Sequence, residues 1–254
     1  MSAGRTFLVA GAQMMRRVSI GDNALAVADM IGRAAARGAV FLVTPEMILT
    51  GYHAGFSQSG RDWAVEAIIL PACRRNRITV LLGAGSYRDP AGRKLAKPQI
   101  QTVIIGPDGR IIGTHAKTIP TDGDLKWCSR GRPRDLRTFS SGGLKFGATI
   151  CNDFWATPGF TSLPDLNLPV RLADMGARVV FHSIASGHGK TYLDFHTMRM
   201  EERAIRAGVF VVSANCVEDP RRPVNAPSGI VNPTGRWIAR APLIGEHLFI
   251  GRIL

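Results

Sequence analysis

The stretch from Arg5 to Glu46 restricts the fold more than any other part of the chain. It reads "RTFLVAGAQ", then "GDNALAVADMIGRAAARG" after a short basic link, then "AVFLVTPE". The outer two runs are short and apolar without alternation, which suits strands covered on both faces. The middle run is Ala-rich and helical in period, with Asp22 or Asn23 available as N-cap and Gly38 as the stop. Strand, helix and strand in that order predict a parallel pair joined by a right-handed crossover.

The pattern continues but does not stay pure. A helix around "DWAVEAIILPACRRN" leads to the strand "ITVLLGAGSY", and "QTVIIGPDGRIIGTHAK" then reads as two strands turning on "PDGR". After an irregular basic segment, Thr118 to Arg137, a second hairpin in "RTFSSGGLKFGATIC" turns on "SGG". A Pro-rich loop from Ala156 to Pro169 precedes a short helix at "VRLADMG", a strand "ARVVFHS", a helix "YLDFHTMRMEERAIRAG" and a strand "VFVVSANC". A hairpin on "NPTG" and a last strand, "EHLFIGRI", complete the chain. Hairpins interrupting an α/β alternation predict an α/β fold of mixed sheets covered by helices. No repeat, linker or low-complexity segment breaks the 254 residues, which read as a single domain, 1–254.

Bulk properties exclude several classes. Hydrophobic residues make up 45% and charged residues 20%, and no run reaches the roughly 18 apolar residues of a membrane helix, so no membrane partner is expected. The start reads as a first strand with no convincing cleavage site, which favours the cytoplasm. Cys73, Cys128, Cys151 and Cys216 are scattered with no CxxC spacing, so free thiols are expected and neither a zinc ribbon nor a disulfide framework is. The histidines form no metal motif. A net charge of +13 raises nucleic-acid binding, but the cations are spread along the chain and no nucleic-acid module accompanies them. One concentration, "KWCSRGRPRDLR", holds Lys126, Arg130, Arg132, Arg134 and Arg137 against Asp135; it reads as a solvated loop or, if it borders a pocket, as a rim that would attract an anionic substrate.

Three strand ends carry complementary chemistry: Glu46 in "FLVTPEMILTGY", Lys117 in "GTHAKTIP" and Cys151 in "ICND". A thiol nucleophile needs a base for its proton, and the oxyanion it creates needs a positive donor. In these segments the chain resembles the nitrilase superfamily, the carbon–nitrogen hydrolases with a Glu, Lys and Cys triad. "NALAVADMIGRAAARGAVFLVTPEMILTGY" resembles the family's opening, "GPDGRIIGTHAK" its hairpin into the lysine, and "FGATICND" its nucleophile motif. "MGARVVFHSIA", "RAIRAGVFVVSAN", "SGIVNPTG" and "GEHLFIGRI" follow in register, so the resemblance spans nearly the whole length.

The resemblance implies an αββα sandwich whose subunits pair into a homodimer or larger assembly, with "EHLFIGRI" able to extend across the partner. It implies Cys151 as nucleophile, Glu46 as general base, Lys117 and the backbone N–H of Asn152 as oxyanion donors, and no metal or organic cofactor. The activity implied is hydrolysis of a small amide or carbamoyl compound through a thioester; a nitrile hydrolase, or an inactive binding or scaffold protein of the same fold, are the alternatives. Many amidases of this kind carry a second glutamate after the lysine, and here "TDGDLKWCSRG" offers Asp124, with Asp122 the other occupant. Carbamoylases acting on N-carbamoyl-D-amino acids share the Asn and Asp after the cysteine but follow with arginines, where this chain has Phe154 and Trp155. Those two rings serve either as an apolar wall beside the nucleophile or as core. Tyr52, His53 and His182 are further candidates for substrate contact, and the loop after Ala156 for substrate choice.

Overall fold

A computed structural model describes residues 6–254; residues 1–5, where the first apolar run begins, lie outside the described residues. The opening unit forms as its pattern predicts. Strand β1 (Phe7–Met15) leads through helix α1 (Ile20–Ala36) to β2 (Phe41–Val43), which pairs parallel with β1. The cap differs from expectation, because Ser19 holds the N-cap: its Oγ accepts from the Asp22 N–H at 3.0 Å and donates to the Asp22 carboxylate at 2.6 Å. Asp22 therefore sits in the first turn, where its charge faces the positive end of the helix.

The second helical stretch is α2 (Gln58–Ala64), a π-turn (Val65–Ile69) and α3 (Leu70–Asn76) in unbroken succession. Pro71 explains the widening, since it has no N–H to give the preceding turn and its ring would crowd that turn's carbonyl. Strand β3 (Thr79–Arg88) then pairs parallel with β2 and antiparallel with β4 (Lys94–Ile105), which pairs with β5 (Ile111–Ala116).

The second half repeats the scheme. Strands β6 (Phe139–Ser141) and β7 (Leu144–Ile150) form the "SGG" hairpin, with Gly142 and Gly143 at positive φ. The short helix α4 (Asn152–Trp155) follows β7 directly, and α5 (Leu168–Asp174) leads to β8 (Val179–Ile184). Helix α6 (Leu193–Ala207) leads to β9 (Phe210–Val217), and β7, β8 and β9 lie parallel. Strands β10 (Gly229–Val231) and β11 (Trp237–Arg240) extend this sheet antiparallel beyond β9. The last strand, β12 (His247–Ile253), pairs antiparallel with β1 over seven residues.

Two mixed sheets result, each with three parallel strands flanked by antiparallel ones. They join where the end of β1 meets the end of β9, Met14 beside Cys216 and Met15 beside Val217. Between them lies an aromatic layer: Phe41 of the first sheet stacks on Phe181 of the second and meets Phe146 edge-on, both at 5.5 Å. Helices α1 to α3 cover the outer face of the first sheet, and α5 and α6 that of the second. The architecture is the αββα sandwich that the resemblance implied. No helix among the described residues is long and apolar enough to cross a membrane.

The turn after β2 depends on one close approach. A Cβ on Gly83 of β3 would lie 1.9 Å from the Pro45 carbonyl oxygen, so only glycine lets the Pro45–Glu46 backbone cross β3 there. Gly83→Ala is expected to displace that turn, lower unfolding free energy by about 2 kcal/mol or more, and reduce activity through Glu46. Urea denaturation checks the first outcome, and a change under about 0.5 kcal/mol would show the turn to be pliable.

Candidate active site

Each triad residue stands just past the end of a strand. Glu46 follows β2, its N–H donating to the Ile184 carbonyl of β8 across the sheets at 3.2 Å. Lys117 follows β5, tied by its N–H to the Ile100 carbonyl at 2.9 Å and by its carbonyl to the Gly131 N–H at 2.7 Å. Cys151 follows β7, and its N–H donates to the Ser183 carbonyl at 2.9 Å. Its backbone lies at φ 47°, ψ −109°, a conformation that side-chain-bearing residues rarely adopt. The abrupt turn from β7 into α4 lets the thiol face the cavity while the Asn152 N–H, the first of the helix, has no intrahelical acceptor.

Beneath the cavity lies a fully buried ion cluster. The Lys117 ammonium donates to Glu46 Oε1 at 2.7 Å and to Asp124 Oδ2 at 2.9 Å. Burial alone would lower the lysine, but the carboxylates beside it hold it well above its ordinary value, so it stays charged. Glu46 loses more to burial than Lys117 returns, and its carboxyl rises to about 7. Its second oxygen, Oε2, has no hydrogen-bond partner among the described residues. Burial would also raise Asp124, yet Lys117 and hydrogen bonds from the Tyr52 hydroxyl, at 2.6 Å, and the Thr121 N–H keep it below the usual range. Tyr52, raised well above its ordinary value chiefly by burial and by the Glu46 charge, remains the donor in that pair. Burial pushes the Cys151 thiol up to about 12 despite the pull of Lys117, so it is protonated at rest and would need a base to act as a nucleophile.

Asp153 ties the lysine's segment to the cysteine's turn. One carboxylate oxygen accepts from the Thr118 and Ile119 N–H groups, each at 2.7 Å; the other meets His115 Nε2 at 2.8 Å and accepts from the Ile150 N–H at 3.1 Å. The two catalytic strand ends thus share one buried acceptor.

The cavity above measures about 490 Å³, and Cys151, Asn152, Tyr52, Asp124 and Asp122 are among its lining residues. Four sequence candidates lie elsewhere. His182 is fully buried, bonded to Thr149 and packed against Phe154 and Trp155, and burial lowers it to about 3. Phe154 and Trp155 are core residues under the nucleophile turn, so the apolar-wall alternative gives way to packing. His53 is exposed and borders a separate depression by the α1 entrance. Of the basic segment, Arg130 and Arg132 line a different cleft with Asp89 and Asp135, so no arginine rim surrounds Cys151.

Several lining residues were not anticipated. His196 of α6, buried, meets the Asn225 carbonyl through Nδ1 at 2.7 Å, which places the ring proton there and leaves Nε2 an acceptor; burial lowers it to about 4, so the ring is neutral. In sequence it occupies an apolar helix face and reads as core. Thr157 and Phe160 come from the loop flagged for substrate choice, whereas Tyr192, Glu218 and Asn225 carried no signal. Among the described residues no group of three or more His, Cys, Asp or Glu side chains is arranged to hold a metal ion.

Residues 8–253 match the family model for carbon-nitrogen hydrolases. The chain belongs to that family. A glutamine-dependent NAD(+) synthetase of Synechocystis sp. is 27% identical over 263 residues, an alignment covering 95% of this chain. This hydrolase chain spans only 45% of that relative's length. Among solved structures, a variant of a Nesterenkonia AN1 amidase from the nitrilase superfamily superposes with a TM-score of 0.81 at 18% identity, over 97% of this chain and 90% of that one. The same amidase in complex with butyramide gives 0.77 at 19% identity, with the same coverage of both chains. At such identity the likeness establishes the nitrilase fold.

Removing one member of a buried ion cluster leaves the others uncompensated. Asp124→Ala is therefore expected to cost about 3 kcal/mol in unfolding free energy, with Asp124→Glu recovering part of it. Denaturation curves that overlay the unsubstituted protein would mean that Glu46 alone suffices to hold Lys117.

Proposed function

We propose that this chain hydrolyses the C–N bond of small linear amides through a thioester on Cys151. The observation that carries this reading is the placement of a protonated thiol above a carboxylate with one unengaged oxygen and a fixed ammonium. As Cys151 Sγ bonds to the amide carbon, its proton passes to Glu46, and the carbonyl π pair moves onto oxygen. Lys117 and the Asn152 N–H stabilise that oxyanion. Collapse breaks the C–N bond, and the Glu46 proton goes to the departing nitrogen, releasing ammonia or amine. Water then adds to the thioester as Glu46 takes its proton. The second collapse expels the sulfur, which recovers that proton, and the carboxylic acid leaves.

Asp124 acts through Lys117, holding its ammonium at the strand end, and Tyr52 orients Asp124. The shorter carboxylate reaches the lysine directly at 2.9 Å, with no bridging water needed. The amidase neighbours support the reading: one shows covalent addition of the acetamide moiety of fluoroacetamide at its active-site cysteine. Glutamine, the nitrogen donor named for the synthetase relative, is also a primary amide and belongs among the compounds tested.

Mass spectrometry after brief incubation with amides, ureas and nitriles should show an acyl adduct on Cys151, and Cys151→Ala should abolish turnover with the fold intact. Turnover by Cys151→Ala would remove the proposal. Glu46 serves as base only when ionised, so with its carboxyl raised to about 7, kcat/KM should climb as pH rises through that value. Glu46→Gln should lose on the order of 10²-fold or more in rate. A profile flat between pH 5 and 8 would assign the base elsewhere.

A further inference from the structure

The cavity wall reverses the charge of the protein around it. The chain carries 32 Lys and Arg against 19 Asp and Glu, yet the 17 residues lining the cavity include Asp122, Asp124 and Glu218 and no lysine or arginine. Asp124 is taken up by Lys117, Tyr52 and Thr121. Asp122 is not: its Oδ1 accepts from the Ser162 N–H and hydroxyl, and no cation pairs with it among the described residues. Glu218 is exposed and shared with Arg16 at 3.5 Å and His188 at 3.6 Å, neither of which lines the cavity, although the Arg16 guanidinium also lies 5.7 Å from the centre of the Tyr52 ring.

Between these carboxylates stand acceptors and ring faces. His196, neutral and with its proton on Nδ1, keeps Nε2 as an acceptor, 3.5 Å from the Thr157 hydroxyl. Phe160 is 47% exposed at the mouth and meets Tyr192 edge-on at 5.1 Å, while Trp127 meets Tyr52 at 5.5 Å. Aromatic faces and carboxylates attract alkylammonium and guanidinium groups, and the same wall repels a carboxylate brought out of water. Resting on the amide-hydrolase reading, we infer that the preferred substrate is a short primary amide whose acyl chain ends in a cation, held between Asp122 and Glu218 against the Phe160, Tyr192 and Trp127 rings. Arg16, beside Glu218, is a cation that acts on a bound group at short range; charges more than about 8 Å away are largely screened at physiological salt.

The test compares 5-aminopentanamide, hexanamide and glutaramic acid, which share an amide end and differ in the far terminus. Binding to Cys151→Ala protein is measured by calorimetry, so that it does not depend on turnover. The ammonium compound is expected to bind at least about tenfold more tightly than hexanamide, and glutaramic acid more weakly than either. Asp122→Asn with Glu218→Gln, both conservative in shape, should bring the ammonium-to-neutral affinity ratio close to one. Equal or reversed affinities, or a ratio unmoved by the double substitution, would overturn the inference. If the preference holds but wild-type protein forms no adduct with any of the three, the hydrolase reading fails while the cavity's preference for a cationic amide stands as a binding property.

Discussion

A lysine ammonium fully withdrawn from water is the constraint around which the rest of this molecule is arranged. Burying an ion of that size costs several kcal/mol even after relaxation, and the cost is offset only by partners held at contact distance. Glu46 and Asp124 supply them at 2.7 and 2.9 Å. Because the three side chains come from separate segments, that requirement fixes how the β2 end, the β5 end and the loop carrying Asp124 meet. The cluster in turn sets the chemistry. Glu46, with one oxygen on Lys117 and the other without a hydrogen-bond partner among the described residues, is raised to about 7 by burial, poised to accept a proton near neutrality.

The sandwich supplies the rigidity such a cluster needs. Parallel strands end together, so the β2 and β7 ends fall on one edge of their sheets, and the link of β1 to β9 brings the two edges side by side. Backbone bonds from Glu46 to Ile184 and from Cys151 to Ser183 anchor both residues to the single strand β8. Asp153 adds the third tie, from the nucleophile turn to the segment after Lys117. Strain at Cys151 persists because these surroundings over-determine its backbone.

Loops, in contrast, build the cavity wall. Thr157 and Phe160 follow α4, Tyr192 precedes α6, and Glu218 and Asn225 follow β9. They supply the chemically varied part of that wall, on a scaffold that carries Glu46, Lys117 and Cys151.

Short-range pattern was enough to determine the α/β alternation, the hairpins at "PDGR", "SGG" and "NPTG", and the strand ends that present Glu46, Lys117 and Cys151, because strand ends and turns are written in neighbouring residues. The side-chain chemistry of a base, a cation and a thiol was equally visible. Tertiary structure alone decided which charges face the cavity. Arg130 and Arg132, six and eight residues after Asp124 in sequence, turn into another cleft, while His196 and Glu218 arrive from distant elements. It also sent His182, Phe154 and Trp155 into the core and folded the last strand back onto β1. The physical reason is the same in each case: which way a side chain faces at the end of an element depends on what packs against it, and those neighbours come from elsewhere in the chain.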